Sequence, residues 1–339
     1  MNIHMNLGEN SYDIVVERSV MKRAGKELNL NRKVFIITDS GVPESYAKCV
    51  ADQCLTPHIA TVCQGEVSKS IETYESLLKK MLSLGFTRGD CVVAVGGGVV
   101  GDLSGFVAAS YMRGIDFYNI PTTVLSQIDS SIGGKVAVNL GGIKNIVGAF
   151  YQPKKVLIDP DVLSTLPTRQ ISNGLAEAVK MSLTSDAELF DIFENQDILS
   201  NIDEIIVKSL NIKKSVVEQD EKESGLRKIL NFGHSIGHGI ESEEALSNLY
   251  HGECVALGMI PMCSSKVREH LVPVLKKLSL PTSVNCDATR VIEALSHDKK
   301  VKNGKLTAVY VEKVGSFVMK EIECESLKES IALISERGE

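Results

Sequence analysis

Short apolar runs, each bounded by glycine, proline or polar residues, alternate with amphipathic stretches through the first half of the chain. Residues 1–18 predict a β-hairpin, because Ile3, Met5 and Leu7 alternate with polar residues before a polar turn at 8–11. Further strands are predicted at 34–37, 59–62 and 91–95, and helices at 43–54 and 71–84. Strands that alternate with helices in this way predict a doubly wound α/β unit.

The pattern changes near Val162, where Leu, Ile, Glu, Lys and Ser begin to recur at helical spacing and glycine turns become sparse. The predicted fold class is therefore an α/β, Rossmann-like nucleotide-binding domain followed by a mostly α-helical domain. We place the first domain at residues 1–158, including a last strand near Val156 to Ile158, and the second at residues 159–339.

Composition narrows the classes of function. The chain has 339 residues, of which 43% are hydrophobic and 24% charged, and its net charge of −6 argues against a nucleic-acid partner while allowing a small anionic substrate. The most apolar stretch, residues 91–110, is broken by Asp102 and five glycines, so no membrane-spanning helix is expected. Eight cysteines without a C-x-x-C pair and no secretory pattern at the start predict a cytoplasmic protein with reduced thiols.

A glycine cluster follows the strand predicted at 91–95. Gly96, Gly97, Gly98 and Gly101, with Asp102 next, allow a backbone to approach a pyrophosphate at a helix N-terminus, although a tight turn is the plain alternative. Asp39, at the end of an earlier strand, is either a ribose ligand or a helix N-cap.

The segment 129–135 contains two glycines and Lys135 but is not a P-loop, because it lacks the leading glycine and the Ser or Thr after the lysine. Lys135, Lys144 and Asn145 instead lie among four glycines at 133, 134, 141 and 142. Cations on a flexible backbone suit phosphate contacts, and a solvated loop is the alternative.

Metal-binding chemistry is concentrated in the second half. Glu177 and Lys180 lie at i and i+3 of one predicted helix, and His234, His238 and His251 fall within a short span. One carboxylate and two imidazoles are the ligand set of a catalytic zinc with an open position. The sequence His-Ser-Ile-Gly-His lacks the glutamate of a zinc protease. Basic pairs at 213–214, 227–228 and 299–300 could hold an anionic substrate or could be solvated helix faces.

Five segments together resemble the 3-dehydroquinate synthase family, in its order and approximate spacing from about Asp39 to Lys300. They are GGGVVGD at 96–102, IPTT at 120–123, DSSIGGK at 129–135, GLAEAVK at 174–180 and LNFGHSIGH at 230–238.

The resemblance implies a set of site residues. The metal, zinc with cobalt as an alternative, is expected on Glu177, His234 and His251. NAD is expected on Asp39, Glu66, Lys69, Gly97, Gly98, Asp102, Thr122, Thr123, Lys135, Lys144 and Thr165. Substrate is expected on Asp129, Lys135, Asn145, Lys180, Lys213, Arg227, Asn231, His238 and Lys299, with Lys300 as an alternative to Lys299 and with Arg113 supplied by the neighbouring subunit of a homodimer.

The implied reaction converts 3-deoxy-D-arabino-heptulosonate 7-phosphate to 3-dehydroquinate and phosphate. It comprises transient oxidation at C5, elimination of phosphate, reduction, ring opening and intramolecular aldol closure. Alternatives are a related sugar phosphate cyclase acting on a substrate without a carboxylate, such as a 2-deoxy-scyllo-inosose or 2-epi-5-epi-valiolone synthase, a glycerol-dehydrogenase-like metal alcohol dehydrogenase, and a non-catalytic NAD-binding regulator. The match of Lys213, Arg227 and Asn231 favours the carboxylate-bearing substrate.

Overall fold

The computed structural model describes residues 1–243, 248–296 and 304–335. The chain divides into two compact units, Met1–Pro167 and Thr168–Glu339. The division comes later than the boundary expected after Ile158, because the turn that follows is tied to the first unit. The carboxylate of Asp159 accepts hydrogen bonds from the amides of Ser19, at 2.8 Å, and Met21, at 3.2 Å.

The first unit is built on a seven-stranded sheet. Its strands and those of a separate hairpin are β1 (Asn2–Met5), β2 (Tyr12–Val16), β3 (Lys33–Asp39), β4 (Thr56–Val62), β5 (Cys91–Gly96), β6 (Asp116–Pro121), β7 (Lys135–Leu140), β8 (Ile143–Phe150) and β9 (Lys155–Ile158). The order in the sheet is β1-β2-β9-β6-β5-β3-β4. The pair β1–β2 is antiparallel, as the predicted hairpin requires, and the other neighbours are parallel.

Helices cover both faces of this sheet, which explains why β3 and β5 read as continuous apolar runs. The helices are α1 (Ala24–Glu27), α2 (Glu44–Ala51), α3 (Ile71–Ser83) and α4 (Gly98–Ser110). Val34 and Ile36 of β3 belong to a buried cluster that includes residues of α1 and α2. Phe35 and Ile37 face the opposite way and join a cluster with residues of α3 and α4. The doubly wound α/β prediction is therefore confirmed.

The glycine-rich segment that carries Lys135, Lys144 and Asn145 is a β-hairpin, not a solvated loop. Strands β7 and β8 are antiparallel, with Leu140 opposite Ile143. The two residues between them, Gly141 and Gly142, have φ of +59° and +79°. A two-residue hairpin turn requires this left-handed backbone, which glycine adopts without strain.

The second unit is mostly helical, as predicted. It contains α5 (Thr168–Ser185), α6 (Ala187–Asn195), α7 (Ile202–Gln219), α8 (His234–Glu241), α9 (His251–Met259), α10 (Ser265–Lys277), α11 (Ala288–Ser296) and α12 (Lys328–Ile331). An antiparallel pair, β10 (Lys305–Tyr310) with β11 (Val318–Glu323), was not predicted. Within the described ranges, no helix has the length and apolar character needed to cross a bilayer.

Glycines allow α5, α8 and α9 to approach one another closely. A Cβ on Gly252 would overlap the carbonyl oxygen of Asn173 in α5, and one on Gly258 would overlap the carbonyl oxygen of Gly233, at the start of α8. Side chains larger than hydrogen would force these helices apart. Gly252, beside His251, and Gly258 are therefore packing residues that allow the three helices to meet.

Candidate functional site

Three helices deliver the predicted metal ligands to one point in the second unit. Glu177 lies in the middle of α5, whereas His234 and His251 are the first residues of α8 and α9. Oε1 of Glu177 is 3.5 Å from Nε2 of His234 and 3.4 Å from Nε2 of His251. One potential ligand atom from each residue lies within 4.8 Å of the other two. The fold therefore places together the three residues that the sequence predicts as metal ligands.

The dimensions of this group fit a tetrahedral metal ion. Two ligand atoms about 2.1 Å from a tetrahedral ion lie roughly 3.4 Å from each other, close to the 3.4 and 3.5 Å between the carboxylate and the two imidazoles. Glu177 is fully buried, and neither of its carboxylate oxygens has a hydrogen-bond partner among the described residues. A buried carboxylate without hydrogen bonds is costly unless a cation compensates it.

Lys180 supplies one such cation from within the same helix. Its Nζ contacts Oε2 of Glu177 as an ion pair, and both side chains are buried. Burial acts to raise the pKa of the Glu177 carboxyl, but Lys180 and His251 hold it well below its usual range. Glu177 is therefore an anion at neutral pH, as a metal ligand must be.

The second nitrogens of the two ligand histidines also have partners. Nδ1 of His234 is 3.2 Å from the carbonyl oxygen of Phe232, and Nδ1 of His251 is 3.0 Å from Oε2 of Glu241. Both acceptors favour a proton on Nδ1, so Nε2 is the nitrogen of each ring that would bind a metal. Burial acts to lower the pKa of His251, but its contacts with Glu177 and Glu241 raise that pKa to about 9. Without a metal the ring is therefore protonated at neutral pH, and a bound metal would replace the Nε2 proton.

His238 lies beside the ligand group. Its ring centroid is 5.3 Å from that of His234 and 6.0 Å from that of His251. Together with Glu241 and His251 it forms a second set of side chains with ligand atoms within 4.8 Å of one another. An imidazole beside the ligand group could exchange a proton with a molecule bound there.

Sequence reasoning missed a clamp that fixes the start of α9. Arg169 donates from Nε and Nη2 to the two carboxylate oxygens of Glu253, at 2.7 and 2.8 Å, and its guanidinium lies 4.2 Å from the ring centroid of Tyr250. Oε2 of Glu253 also accepts from the amide of Tyr250, at 2.8 Å. The glutamate two residues after His251 is thus a helix-capping residue, and its position in the first turn was the available signal.

Candidate substrate-binding cations are buried near a loop that Asp220 organises. Arg227 and Lys213 are both buried. The carboxylate of Asp220 accepts from the amides of Ser224, Gly225 and Arg227 at 2.7 to 2.9 Å. Burial acts to raise the pKa of Asp220, but these amide donors lower it to about 2. The loop thereby fixes the backbone from which the Arg227 side chain extends.

The remaining predicted substrate residues of this unit are only partly placed. Nδ2 of Asn231 donates to Oε1 of Glu223, at 2.8 Å, and Glu223 has a left-handed φ of +59°. Lys214 pairs with Glu218 at 3.1 Å on the same helix. Lys299 and Lys300 lie outside the described residues. Substrate contact therefore stays a prediction for each of these residues.

In the first unit, several predicted nucleotide contacts lie at one edge of the sheet. Asp39 ends β3, Gly97 and Gly98 follow β5, and Thr122 and Thr123 follow β6. These strands are parallel neighbours, so their carboxyl ends meet at the edge where doubly wound sheets bind nucleotides. Gly97 caps the start of α4, as the glycine cluster predicts.

Asp39 does not cap a helix. It accepts a hydrogen bond from the amide of Gly41, at 2.7 Å, whereas α2 has Pro43 at its N-cap position. The N-cap alternative for Asp39 is therefore wrong, and the ribose alternative stays a prediction. The reason is geometric, because the turn at 39–42 separates the strand end from the helix.

A polar network joins other predicted nucleotide and substrate residues. Nζ of the buried Lys69 is 2.5 Å from Oδ2 of Asp102 and also donates to Oδ1 of Asn145. Oε1 of Glu66 accepts from Nδ2 of Asn139, at 2.8 Å, and the amide of Asn145 donates to Oδ1 of Asn139, at 2.9 Å. The fold thus gathers residues separated in sequence, although their contacts with NAD remain predictions.

Five further predicted residues of the first unit are placed without a demonstrated ligand role. Lys135 begins β7, and Lys144 lies exposed on β8. Asp129 lies in a single π-helical turn, Thr165 is 3.1 Å from the hydroxyl of Tyr46, and Arg113 is exposed with a left-handed φ of +68°.

Comparison with known proteins decides the family. The family model described as 3-dehydroquinate synthase N-terminal matches residues 59–173, and the one described as 3-dehydroquinate synthase C-terminal matches residues 174–301. The chain belongs to the 3-dehydroquinate synthase family. A relative named 3-dehydroquinate synthase from Streptococcus thermophilus is 40% identical over 353 residues, which cover 97% of this chain and 99% of the relative. The motif-based resemblance is confirmed, and the chain is an enzyme.

Solved structures of sugar phosphate cyclases share this fold over nearly the whole chain. A 2-deoxy-scyllo-inosose synthase in complex with carbaglucose-6-phosphate, NAD+ and Co2+ is 27% identical, with a TM-score of 0.88 over 98% of this chain and 99% of that one. A 2-epi-5-epi-valiolone synthase from Streptomyces hygroscopicus with NAD+ and Zn2+ bound is 27% identical, with a TM-score of 0.87 over 97% and 98%. The predicted fold class is therefore confirmed.

Proposed function

We propose that this chain converts 3-deoxy-D-arabino-heptulosonate 7-phosphate to 3-dehydroquinate and phosphate, in the shikimate pathway of aromatic amino acid biosynthesis. The observation that carries the proposal is the convergence of Glu177, His234 and His251 at metal-ligand separations in a chain of the 3-dehydroquinate synthase family. NAD and a divalent metal, zinc or cobalt, are the cofactors, as in the solved cyclase structures.

The residues that would hold the metal fit it in number, charge and spacing. Glu177 offers a buried carboxylate without a hydrogen-bond partner in the described part of the chain, and the two imidazoles present Nε2 to the same point. Three protein ligands leave a position for substrate oxygen. When bound, the metal supplies Lewis acidity toward substrate hydroxyls, and NAD supplies temporary storage of a hydride.

The chain's own residues then bind, orient and protonate. Lys213 and Arg227 bind the substrate carboxylate, and Arg227 is suited to a bidentate contact because its guanidinium is planar. In the second unit, His238 stabilises the phosphate as it leaves, with an imidazole nitrogen donating a proton to it. In the first unit, Lys135 and Asn145 are proposed phosphate contacts. The departing phosphate oxygen accepts the C6 proton. Prior orientation of the carboxylate favours the later intramolecular ring closure by several kcal/mol.

A carboxylate-bearing substrate separates this proposal from the other sugar phosphate cyclases. Lys213 and Arg227 are both buried in the second unit, and both match the positions that the family uses for the substrate carboxylate. A sugar phosphate without a carboxylate would not use these two cations for binding a second anionic group. The family assignment supports the same choice over an alcohol dehydrogenase or a non-catalytic regulator.

We also propose a homodimer in the cytoplasm, with Arg113 completing the neighbouring subunit's site. Support comes from the turn Tyr111–Arg113, where Met112 and Arg113 are exposed and both adopt left-handed φ, at +49° and +68°. Left-handed backbone in residues other than glycine is strained, and residues with such strain cluster at functional sites. All eight cysteines lie in the described part of the chain and are free thiols, which fits a reducing compartment.

The activity is tested by incubating the purified protein with the heptulosonate phosphate and substoichiometric NAD, and following substrate, product and phosphate by NMR. We expect one phosphate per 3-dehydroquinate, no accumulation of NADH, loss of turnover with a chelator and recovery with zinc or cobalt. A hexose 6-phosphate without a carboxylate is the comparison substrate. Preferential turnover of that compound, or net formation of NADH, would contradict the proposal.

The dimer proposal needs a separate test. Light scattering after size exclusion should give twice the mass of one chain. Mixing an Arg113→Ala chain with a Glu177→Gln chain should restore activity above that of either variant alone, because one site of the mixed dimer then has every residue intact. A monomer in solution, or no complementation in a demonstrated mixed dimer, would contradict the shared site.

A further inference from the structure

His251 is engaged at both nitrogens of its ring. Nε2 lies 3.4 Å from Oε1 of Glu177, at the metal-ligand group, whereas Nδ1 lies 3.0 Å from Oε2 of Glu241. The two carboxylates therefore stand on opposite sides of one imidazole. Nε2 of His234 lies 3.5 Å from the same Oε1 of Glu177, so the ligand group is on the Nε2 side of the His251 ring and Glu241 contacts the Nδ1 side.

We infer that Glu241 is a positioning residue of the metal site, acting through His251. As acceptor for the Nδ1 proton it selects the tautomer whose lone pair is on Nε2, fixes the orientation of the ring, and makes Nε2 a stronger donor to a cation. The inference rests on the proposed metal-dependent function and adds a residue to it.

The position of Glu241 in its helix supports a functional role. His234, His238 and Glu241 are related as i, i+4 and i+7, so one face of α8 carries a metal ligand, the neighbouring imidazole and the acceptor for the other histidine ligand. Glu241 is the last residue of α8. A carboxylate there is disfavoured by the helix dipole, which prefers a cation at the C-terminus. The contact with His251 offsets that unfavourable position.

A similar pair elsewhere in the unit provides a matched control. Oε1 of Glu194 is 2.7 Å from Nδ1 of His270, whose side chain is exposed and belongs to no ligand group in the described ranges. Surface pairs of this type contribute little to stability. If the Glu241 contact were an ordinary ion pair, removing either glutamate would have the same small effect.

Glu241 could instead bind a cation directly, because it forms a second set of potential ligands with His238 and His251. The two arrangements predict different results. A positioning residue tunes affinity without changing the ligands, whereas a ligand is needed for binding and changes the coordination sphere when replaced.

The experiment measures metal affinity without turnover, in the full chain. Zn2+ dissociation constants are obtained by competition with a chromophoric chelator, and Co2+ absorption spectra are recorded for wild type, Glu241→Ala, Glu241→Gln, Glu177→Gln and Glu194→Gln. We expect Glu241→Ala to bind Zn2+ about 10- to 100-fold more weakly. Glu241→Gln, which keeps an acceptor oxygen, should lose less. Both should retain the wild-type Co2+ spectrum, and Glu194→Gln should bind like wild type.

Two results would overturn the inference. If both Glu241 variants bind Zn2+ as tightly as wild type, the contact between Glu241 and His251 does not position the metal ligand. Loss of binding as complete as in Glu177→Gln, with an altered Co2+ spectrum, would make Glu241 a ligand. Circular dichroism checks folding, and the isosteric glutamine keeps the test valid if the alanine variant unfolds. Because no substrate is present, the outcome is independent of whether the heptulosonate phosphate is turned over.

Discussion

Replacing Glu177 by glutamine in the metal-free protein tests how the ligand group is held before a cation arrives. The side chain of Glu177 is 0% exposed, and that of its partner Lys180 is 2% exposed. Removing one member of a buried ion pair leaves the other charge uncompensated and costs about 3–5 kcal/mol.

The assay is urea unfolding of chelator-treated protein followed by circular dichroism, with thermal unfolding in parallel. A loss of 3–5 kcal/mol in a unit of this size corresponds to a fall in Tm of roughly 10 °C. The deficit should shrink as the pH rises from about 6.5 to about 9. Burial acts to lower the pKa of His251, but Glu177 and Glu241 raise it to about 9, and the stabilisation that Glu177 gives the protonated ring is lost as the ring deprotonates.

Two controls isolate the buried charge. Glu188→Gln breaks a pair with Lys208 in which the glutamate side chain is 89% exposed, and it should cost at most about 1 kcal/mol. Glu177→Gln combined with Lys180→Met should recover most of the loss, because a buried pair replaced by uncharged groups is often neutral or stabilising. A single variant within about 1 kcal/mol of wild type, or a double variant no better than the single, would refute the reasoning.

Three further predictions concern helix packing, the Asp220 loop and the metal. Gly252→Ala should destabilise the protein by at least the 1–3 kcal/mol typical of overpacking, because its Cβ would overlap the carbonyl oxygen of Asn173. The control Gly89→Ala should be near neutral, and equal urea midpoints for the two variants would contradict the prediction. Asp220→Ala should lower the free energy of unfolding by about 1–2 kcal/mol and raise the KM, because the loop would no longer fix the backbone of Arg227. The stability deficit should shrink as the pH falls from about 4 toward 2, because the carboxylate contributes only when ionised, and a deficit that does not change with pH would count against the prediction. Chelation should lower Tm, and zinc in excess over its Kd should restore it by mass action; no response in Tm would remove the metal assignment.

Much of the first unit could be predicted from local sequence. A strand buried on both faces must be apolar throughout, so β3 and β5 were recognisable without tertiary information. The hairpin β7–β8 was missed because its exposed residues and glycines resemble a loop, and only pairing between its strands distinguishes the two. The pair β10–β11 was missed for the same reason: the hydrogen bonds that stabilise it are not local.

For the site, the sequence by itself determined which chemical groups were available: a carboxylate and a cation on one helix face, and histidines at helical spacing beside glycines. Residue type and helical period are local properties, so Glu177, His234 and His251 could be named. Only the tertiary structure decided the different roles of the nearby carboxylates: Glu241 contacts the ligand His251, whereas Glu253 accepts hydrogen bonds from Arg169. Those roles depend on which partner each acid meets after α5, α8 and α9 pack together, and contacts between helices distant in sequence are not encoded in any one segment.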